Sequence, residues 1–584
     1  MSFPLIDSQI EKLQANKKKW VNTSFADKVQ MLKKSKELLH EHGLEWAKAA
    51  MKAKGYVDDH HDYEHLLGEE IFGMAQAQGK SLNYYIATFE PLAKQQASKK
   101  PYSVPGAYGG MTESIDGKST VCKVFPSNIT EKVVYGVLSG ELWVEHVDLK
   151  AGQKPKQGSR ALDRDYSGDV ALVLGAGNQT AIQTGDVLYY LFNMQDVVLL
   201  KWNPVNDYGH KFFEMVYAPF IEAGVVCSIT GGVDVGKYLT SHPSLNKMHM
   251  TGSGATHDQI VWGPGDAETI KRNKQAGKKS CDKEFCSELG CVSPVLVTPG
   301  EWSKAEMDNQ VQHLAGTVAH NNSFNCVASK VFVVDSKWAQ KEEFLAGLKK
   351  ALASAPTRNP YYPNSHKRHA EIVDHYGNRA AVVGQTKKSA DHLETTLVAN
   401  LKSSAVAQDE KALVWESWTP FAAVLEMDQT DGSVKDFLNQ SVAFCNERLY
   451  GTLGATIVID PKSEADNKQV FEKGIANLNY GTVAVNAWTG IVFITPNMVW
   501  GGAPGATAED VQSGVGWVHN SMLYDEVHKS VFRAPFRMPL GLKLPWNPTV
   551  ENLRAYAQVG ADVETQGGVV NMLKFLKQTV SSCT

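Results

Sequence analysis

The chain has 584 residues, too many for one compact core, and its 43% apolar and 21% charged residues are the composition of a globular protein. A formal net charge of -4 gives no electrostatic reason to expect a nucleic-acid partner, and no apolar run reaches the ~20 residues of a membrane span. The opening Met1-Ser-Phe-Pro-Leu-Ile-Asp7 lacks the pattern of a secretory signal, and eight cysteines are too sparse for a disulfide scaffold, so a reducing, cytoplasmic setting is expected.

The first hundred residues read as helical. Ser24-x-x-Asp27 forms a capping-box pattern, Val29, Leu32, Leu38 and Leu39 share one stripe, and Gly43 is expected to stop the helix. His61-Asp-Tyr-Glu-His65 has the spacing of two zinc-binding histidines one helical turn apart, but no third ligand accompanies it. A polar stretch rich in Gly, Lys and Pro, Leu149 to Asp165, separates this part from a different texture. Beyond it the apolar runs Val170–Leu174, Val197–Leu200 and Val225–Ile229 recur, with a helical pattern carrying Phe212, Phe213, Val216, Phe220 and Ile221 before the last and Gly224 at its end. Such alternation predicts parallel βαβ units, whose ligands sit at the carboxyl ends of the strands. A second alternating stretch begins near Val292. There the run Val331–Val334 is followed by Asp335-Ser336, expected to cap a helix bearing Phe344, Leu345, Leu348 and Leu352. The last fifty residues are rich in Pro, Gly and Leu and end in a predicted helix over Val569–Leu576.

Five features could carry chemistry. Gly175-Ala-Gly-Asn178 follows the first strand but lacks the third glycine of a dinucleotide fingerprint. Lys201 ends the second strand, where an ammonium can meet a ribose or phosphate. Met250-Thr-Gly-Ser-Gly254 offers small residues and free N–H groups suited to phosphate. Glu288 lies among apolar neighbours that would raise its pKa toward that of a general base. Cys326, in Asn321-Asn-Ser-Phe-Asn-Cys326, is a potential nucleophile. Singly, each has a plainer reading: a turn, a solvated lysine, an exposed carboxylate, a small buried thiol. Cys281, Cys286 and Cys291 lack a fourth partner for zinc, so no metal is expected.

The order and spacing of these features resemble the aldehyde dehydrogenase superfamily from the N-terminal helices to about residue 530. Asn178 matches the family's oxyanion asparagine and Lys201 its adenosine-ribose lysine. Met250-Thr-Gly-Ser253 matches the Phe-Thr-Gly-Ser turn, Glu288-Leu-Gly-Cys291 the Glu-Leu-Gly-Gly, and Asn321–Cys326 the Asn-x-Gly-Gln-x-Cys. Downstream, Glu416-Ser-Trp-Thr-Pro420 stands for Glu-x-Phe-Gly-Pro, with Asn486 and Trp500-Gly-Gly502 as the last landmarks. Departures include Ser323-Phe324 for Gly-Gln, Trp418 for the phenylalanine beside the nicotinamide, Gly516-Trp-Val518 for Gly-Arg-Glu, and a long C-terminal tail.

The resemblance implies an α/β fold with a Rossmann-type cofactor domain (1–147 and 168–288), an α/β catalytic domain (289–530), and a small β oligomerisation element with a C-terminal extension (148–167 and 531–584). It also implies a homodimer or homotetramer. Cys326 would attack an aldehyde, with the oxyanion held by the Asn178 amide and the Cys326 N–H, and Glu288 would activate water to hydrolyse the resulting thioester to a carboxylic acid. A helix N-terminus or cofactor charge would lower the pKa of the thiol. The cofactor would be NAD or NADP, bound by Lys201, Ser253, Gly232, Glu416 and Trp418. Pro204 stands where NAD-preferring relatives carry a glutamate, which leaves both open. Asn325, Val327 and Trp500, with Trp488, would line a pocket for a small apolar or aromatic aldehyde. The alternatives are transfer of the acyl group to coenzyme A and a non-catalytic binding protein of the same fold. For the tail, the sequence leaves open a cover over the substrate tunnel or a subunit contact.

Overall fold

The apolar runs between residues 170 and 290 become a five-stranded, all-parallel sheet. In the computed structural model, which describes residues 3–383 and 391–583, its order is Val226–Ile229, Val197–Lys201, Val170–Leu174, Lys247–Gly252, Glu284–Leu289. Val170–Val173 and Val197–Leu200 are fully buried, because helices cover both faces of a parallel sheet. The N-terminal helices Pro4–Asn22 and Phe25–Ala53 share that core, and the Trp20 indole donates to Leu191 O at 2.9 Å. Ser24 caps the second helix by accepting from Asp27 N–H. Gly43 does not end it. The helix runs on to Ala53, and the missing side chain leaves room for Ala75, whose Cβ would stand 3.3 Å from a Cβ at 43. His61 lies outside the helix Tyr63–Ile71, so the two histidines do not share a helical face. Among the described residues no three His, Cys, Asp or Glu side chains gather as a metal site.

The second sheet has eleven strands. Its centre is parallel, in the order Val527–Arg533, Thr482–Val485, Gly454–Val458, Pro294–Val297, Val331–Asp335, Phe421–Met427, Thr396–Lys402. Ala380–Val382 adds an antiparallel edge at one end. At the other, Ser139–Glu145, Ser119–Phe125 and Met111–Glu113 extend it, also antiparallel. Residues 111–145, grouped by sequence with the dinucleotide-binding half, thus lie in the larger sheet, because Ser139–Glu145 pairs with Val527–Arg533. The polar stretch 148–167 makes no strand and only the single bridge Gln157–Tyr524. Asp335 is not a helix cap. Its carboxylate accepts from Lys337 N–H and the Thr430 hydroxyl, and the helix begins at Lys341. Among the described residues no helix is long and apolar enough to cross a membrane.

The tail folds back on the N-terminal half. Helices Leu553–Gln566 and Val569–Cys583 pack on each other and on Phe72. The approach is close enough to require glycine: a Cβ at Gly68 would stand 2.5 Å from Arg554 N, and one at Gly316 would stand 2.0 Å from the Trp546 carbonyl oxygen. Overpacking of this kind costs ~1–3 kcal/mol. Gly68→Ala is therefore expected to lower the melting temperature and to expose residues beyond 540 to limited proteolysis. An unchanged cleavage pattern would show that the tail is not held by this contact.

Candidate active site

Neighbouring strands of the parallel sheet end along one edge, and the candidate residues gather there. Gly175–Asn178 follows the central strand Val170–Leu174, Lys201 closes Val197–Lys201, and Gly232 and Ser253 follow the next two strands. Gly232 and Ser253 are the N-caps of the helices Val233–Ser241 and Gly254–Val261. These residues line a cleft of about 1000 Å³ together with Glu288, Cys326, Glu416 and Trp418. The size suits a dinucleotide. The polar groups suit one too: Glu416 Oε1 and Trp418 Nε1 are buried without a hydrogen-bond partner among the described residues, so each has capacity left for a ligand. A side chain at Gly177 would fill the cleft wall, since its Cβ would meet Tyr362 Oη at 2.8 Å.

Behind the same loop lies a smaller chamber of about 70 Å³, walled by Phe72, Ile182, Trp488, Phe493, Trp500 and Trp546. Asn325 and Val327 line it as well, and Asn178 and Cys326 line both spaces. The sulfur therefore stands at the partition between an aromatic chamber and a cleft of dinucleotide size. Trp546 and Leu553 belong to the tail, so the extension forms part of the chamber wall.

The loop that carries Cys326 is strained. Asn321, Asn322 and Ser323 have φ of 52°, 53° and 64°, left-handed values that cost a non-glycine residue free energy. Lys330 holds Ser323 in this conformation, with Nζ donating to Ser323 Oγ at 2.5 Å and to Thr419 O at 2.7 Å. Asn321 is the other anchor. Its Oδ1 accepts from Lys54 Nζ at 3.0 Å and Tyr361 Oη at 3.1 Å, and its Nδ2 donates to Asn178 O at 3.2 Å. Asn178 in turn donates from Nδ2 to Phe324 O at 3.0 Å, which leaves the second hydrogen of that amide.

Glu288 is 2% exposed, and the Cys326 thiol donates to its Oε1 across 3.7 Å. Burial, reinforced by Asp186, pushes its carboxyl up to about 7, against the opposing influence of Trp500 and His249. The thiol departs from expectation. Burial first, then the charges of Glu288 and Glu416, hold it well above its ordinary pKa, because carboxylates and not a helix N-terminus surround it. Burial likewise pushes the Glu416 carboxyl up and the Lys330 ammonium down.

The functional neighbourhood contains residues that sequence reasoning missed. Lys54 pairs with Glu70 and reaches the Cys326 loop from the N-terminal helices, Lys330 supports the loop from the other side, and Asp186 pairs with His249 at 3.4 Å in the protein interior. Nothing in the local sequence around Lys54 or Asp186 signals these contacts, which are made only in the folded chain.

Residues 206–520 match the model of the aldehyde dehydrogenase family, more than half of the chain. The chain is 23% identical over 276 residues to the mitochondrial succinate-semialdehyde dehydrogenase of Rattus norvegicus, covering 44% of this chain and 46% of that one. It spans about half the length of the curated relatives it matches. In structure it is similar to gamma-glutamyl-gamma-aminobutyraldehyde dehydrogenase from Burkholderia cenocepacia, with a TM-score of 0.57 at 16% identity over 90% of this chain and 88% of that one. The NADP-dependent glyceraldehyde-3-phosphate dehydrogenase of Bacillus halodurans, complexed with NADP, gives a TM-score of 0.59 at 16% identity over 91% of both chains. At these identities the structural likeness establishes the fold.

The raised thiol pKa has a direct consequence. Alkylation consumes the thiolate, so Cys326 in the free protein is expected to react with iodoacetamide at pH 7 at least ~10-fold more slowly than free cysteine. Mass spectrometry of the Cys326 peptide follows the reaction. A rate equal to that of the free amino acid would contradict the electrostatic description.

Proposed function

The chain belongs to the aldehyde dehydrogenase family, and from that premise we propose that it oxidises an aldehyde to the carboxylic acid with NAD or NADP. The observation that carries the reading is the position of Cys326, Glu288 and Asn178 around the partition between chamber and cleft. Lys201, Gly232, Ser253, Glu416 and Trp418 would hold the dinucleotide, which supplies the hydride acceptor when bound. Pro204 lines the cleft in place of a carboxylate, so a 2′-phosphate meets no repulsion there. The N-terminal helices and residues 168–288 then form the cofactor domain, and residues 289–530 form the catalytic domain.

The chain's own residues do the rest. Glu288 Oε1 accepts the thiol proton as Sγ bonds to the aldehyde carbon. The carbonyl oxygen gains the negative charge, and the free hydrogen of the Asn178 amide and the Cys326 N–H donate to it. Losing one such donor typically costs ~3–4 kcal/mol of barrier. Once hydride has left the carbon, a thioester remains on Cys326. Glu288 first releases the thiol's proton to solvent, then takes a proton from water as it attacks that carbon; the C–S bond breaks, the proton passes to the Cys326 sulfur, and the acid departs. One carboxyl thus serves both halves, and a pKa near 7 suits it to exchange protons near neutrality. The presence of this base favours hydrolysis over transfer to coenzyme A. The aromatic wall, with Asn325, Val327 and Trp500, favours an apolar or aromatic aldehyde.

The sign of the pH dependence follows from the raised carboxyl. Only ionised Glu288 accepts a proton, so kcat/KM with an aromatic aldehyde and NAD(P) is expected to fall about tenfold per unit below pH 7. Glu288→Gln should lose ~10²–10⁴-fold of steady-state turnover at pH 7. Its first-turnover burst of reduced dinucleotide should rise with pH through the alkaline range, as hydroxide replaces Glu288 in ionising the thiol, while steady turnover should not recover. Wild-type turnover under these conditions by the Gln variant, or none by the native chain on any aldehyde of a broad panel, would overturn the proposal.

A further inference from the structure

The chamber wall is largely aromatic, and Glu69, Asn178, Gln179, His320 and Asn325 are its polar members. His320 lines it beside Trp488, ring centroids 5.2 Å apart, just upstream of the nucleophile loop. Its tautomer is fixed by its neighbours. Asn325 Oδ1 accepts from Gln179 Nε2 at 3.0 Å, and Asn325 Nδ2 donates to the His320 carbonyl oxygen at 3.0 Å, so Nδ2 is the amide nitrogen. The same Nδ2 lies 3.2 Å from His320 Nδ1, which must therefore accept. Burial holds the ring neutral, with its pKa down at about 4, while Glu69 opposes that shift and Arg358 and Lys54 add to it. A neutral ring that accepts at Nδ1 carries its proton on Nε2.

That Nε2–H makes no hydrogen bond among the described residues, and it is not one of the polar atoms sealed from solvent. Several other donors around the chamber are engaged, and the spare hydrogen of the Asn178 amide is the one assigned above to the oxyanion. Trp488 Nε1 donates to Val327 O at 2.8 Å and Trp546 Nε1 to His313 Nδ1 at 3.0 Å, and Asn178 and Gln179 bond to the nucleophile loop. The Trp500 Nε1–H, near Glu288, is buried without a hydrogen-bond partner among the described residues, so it is a second donor in the wall. Glu69, also in the wall, is an acceptor occupied by Arg358.

Resting on the aldehyde reading of the site, we propose that His320 is a specificity-determining residue whose Nε2–H selects aldehydes carrying an acceptor oxygen on an apolar or aromatic body. An apolar chamber rewards any ligand that fills it, but an unpaired donor in its wall discriminates, because a ligand without an acceptor shuts that donor off from water and leaves it unpaired. The substrate class is thus an oxygen-substituted aromatic or apolar aldehyde, such as a methoxy- or hydroxybenzaldehyde.

The test compares 3- and 4-methoxybenzaldehyde with the shape-matched 3- and 4-ethylbenzaldehyde. For at least one position the wild type should prefer the methoxy compound by roughly five- to tenfold in kcat/KM, the worth of one neutral hydrogen bond. His320→Leu should bring the pair to within about twofold, and His320→Gln, which restores an N–H donor, should recover the preference. A preference that survives in His320→Leu, or is absent from the wild type at both positions, overturns the proposal. Binding separates this failure from failure of the aldehyde reading. Quenching of tryptophan fluorescence by the same four compounds in Cys326→Ala requires no chemistry. A methoxy preference in binding that vanishes in Cys326→Ala/His320→Leu sustains the role of His320 even where no aldehyde is oxidised, and equal binding of both compounds removes it.

Discussion

The protein depends on one strained turn. Asn321, Asn322 and Ser323 take left-handed backbone conformations in succession, and that path puts Cys326 through the wall between the aromatic chamber and the dinucleotide-sized cleft. Strain of this kind persists only where the surroundings over-determine it. Here they do: Lys54 and Tyr361 hold Asn321, Lys330 holds Ser323, and the Asn178 amide holds the carbonyl of Phe324. The anchors come from the N-terminal helices, from both sheets and from the 360s loop, so the position of the sulfur integrates the packing of the whole chain. Serine does at 323 what glycine does at lower conformational cost, and the lysine beneath it makes the conformation tolerable.

The electrostatics of the site follow from the burial of several carboxyl groups in one neighbourhood. Glu288 and Glu416 face a cysteine that neither can help to ionise at rest, and Asp186 adds its charge from the interior. The free protein accordingly keeps the thiol protonated and bonded to Glu288. Reactivity then belongs to the occupied site, where a carbonyl carbon can receive the sulfur as the proton leaves. A nucleophile held in this way is protected from adventitious oxidation, which attacks thiolates.

The cofactor half of the architecture is legible in sequence because its signals are local. Val170–Leu174 and Val197–Leu200 are apolar runs of strand length, and the residues that follow them, Asn178 and Lys201, land at the edge where a parallel sheet receives ligands. Glu288 is legible as a carboxylate with apolar neighbours close after it, near the end of the strand Glu284–Leu289. Other features depend on contacts between distant residues. Gly43 carries the signature of a helix stop, yet packing against Ala75 overrides it. Residues 111–145 belong to the larger sheet through pairing with a strand almost four hundred residues later. The tail reaches the chamber because Gly68 and Gly316 let its backbone approach, and no periodicity in the tail announces where it will dock. His320 is the clearest case: a histidine before a cysteine says nothing until Asn325 fixes its tautomer and Trp488 walls its surroundings.

The central claim is covalent, and so is its most direct measurement. Protein mixed with NAD(P) and an aromatic aldehyde, quenched in acid within the first turnover and digested, should yield a Cys326 peptide heavier by the acyl group of that aldehyde. The adduct should be absent without dinucleotide. Reduced dinucleotide accumulating while the Cys326 peptide stays unmodified, or an acyl group found on another residue, would contradict the account.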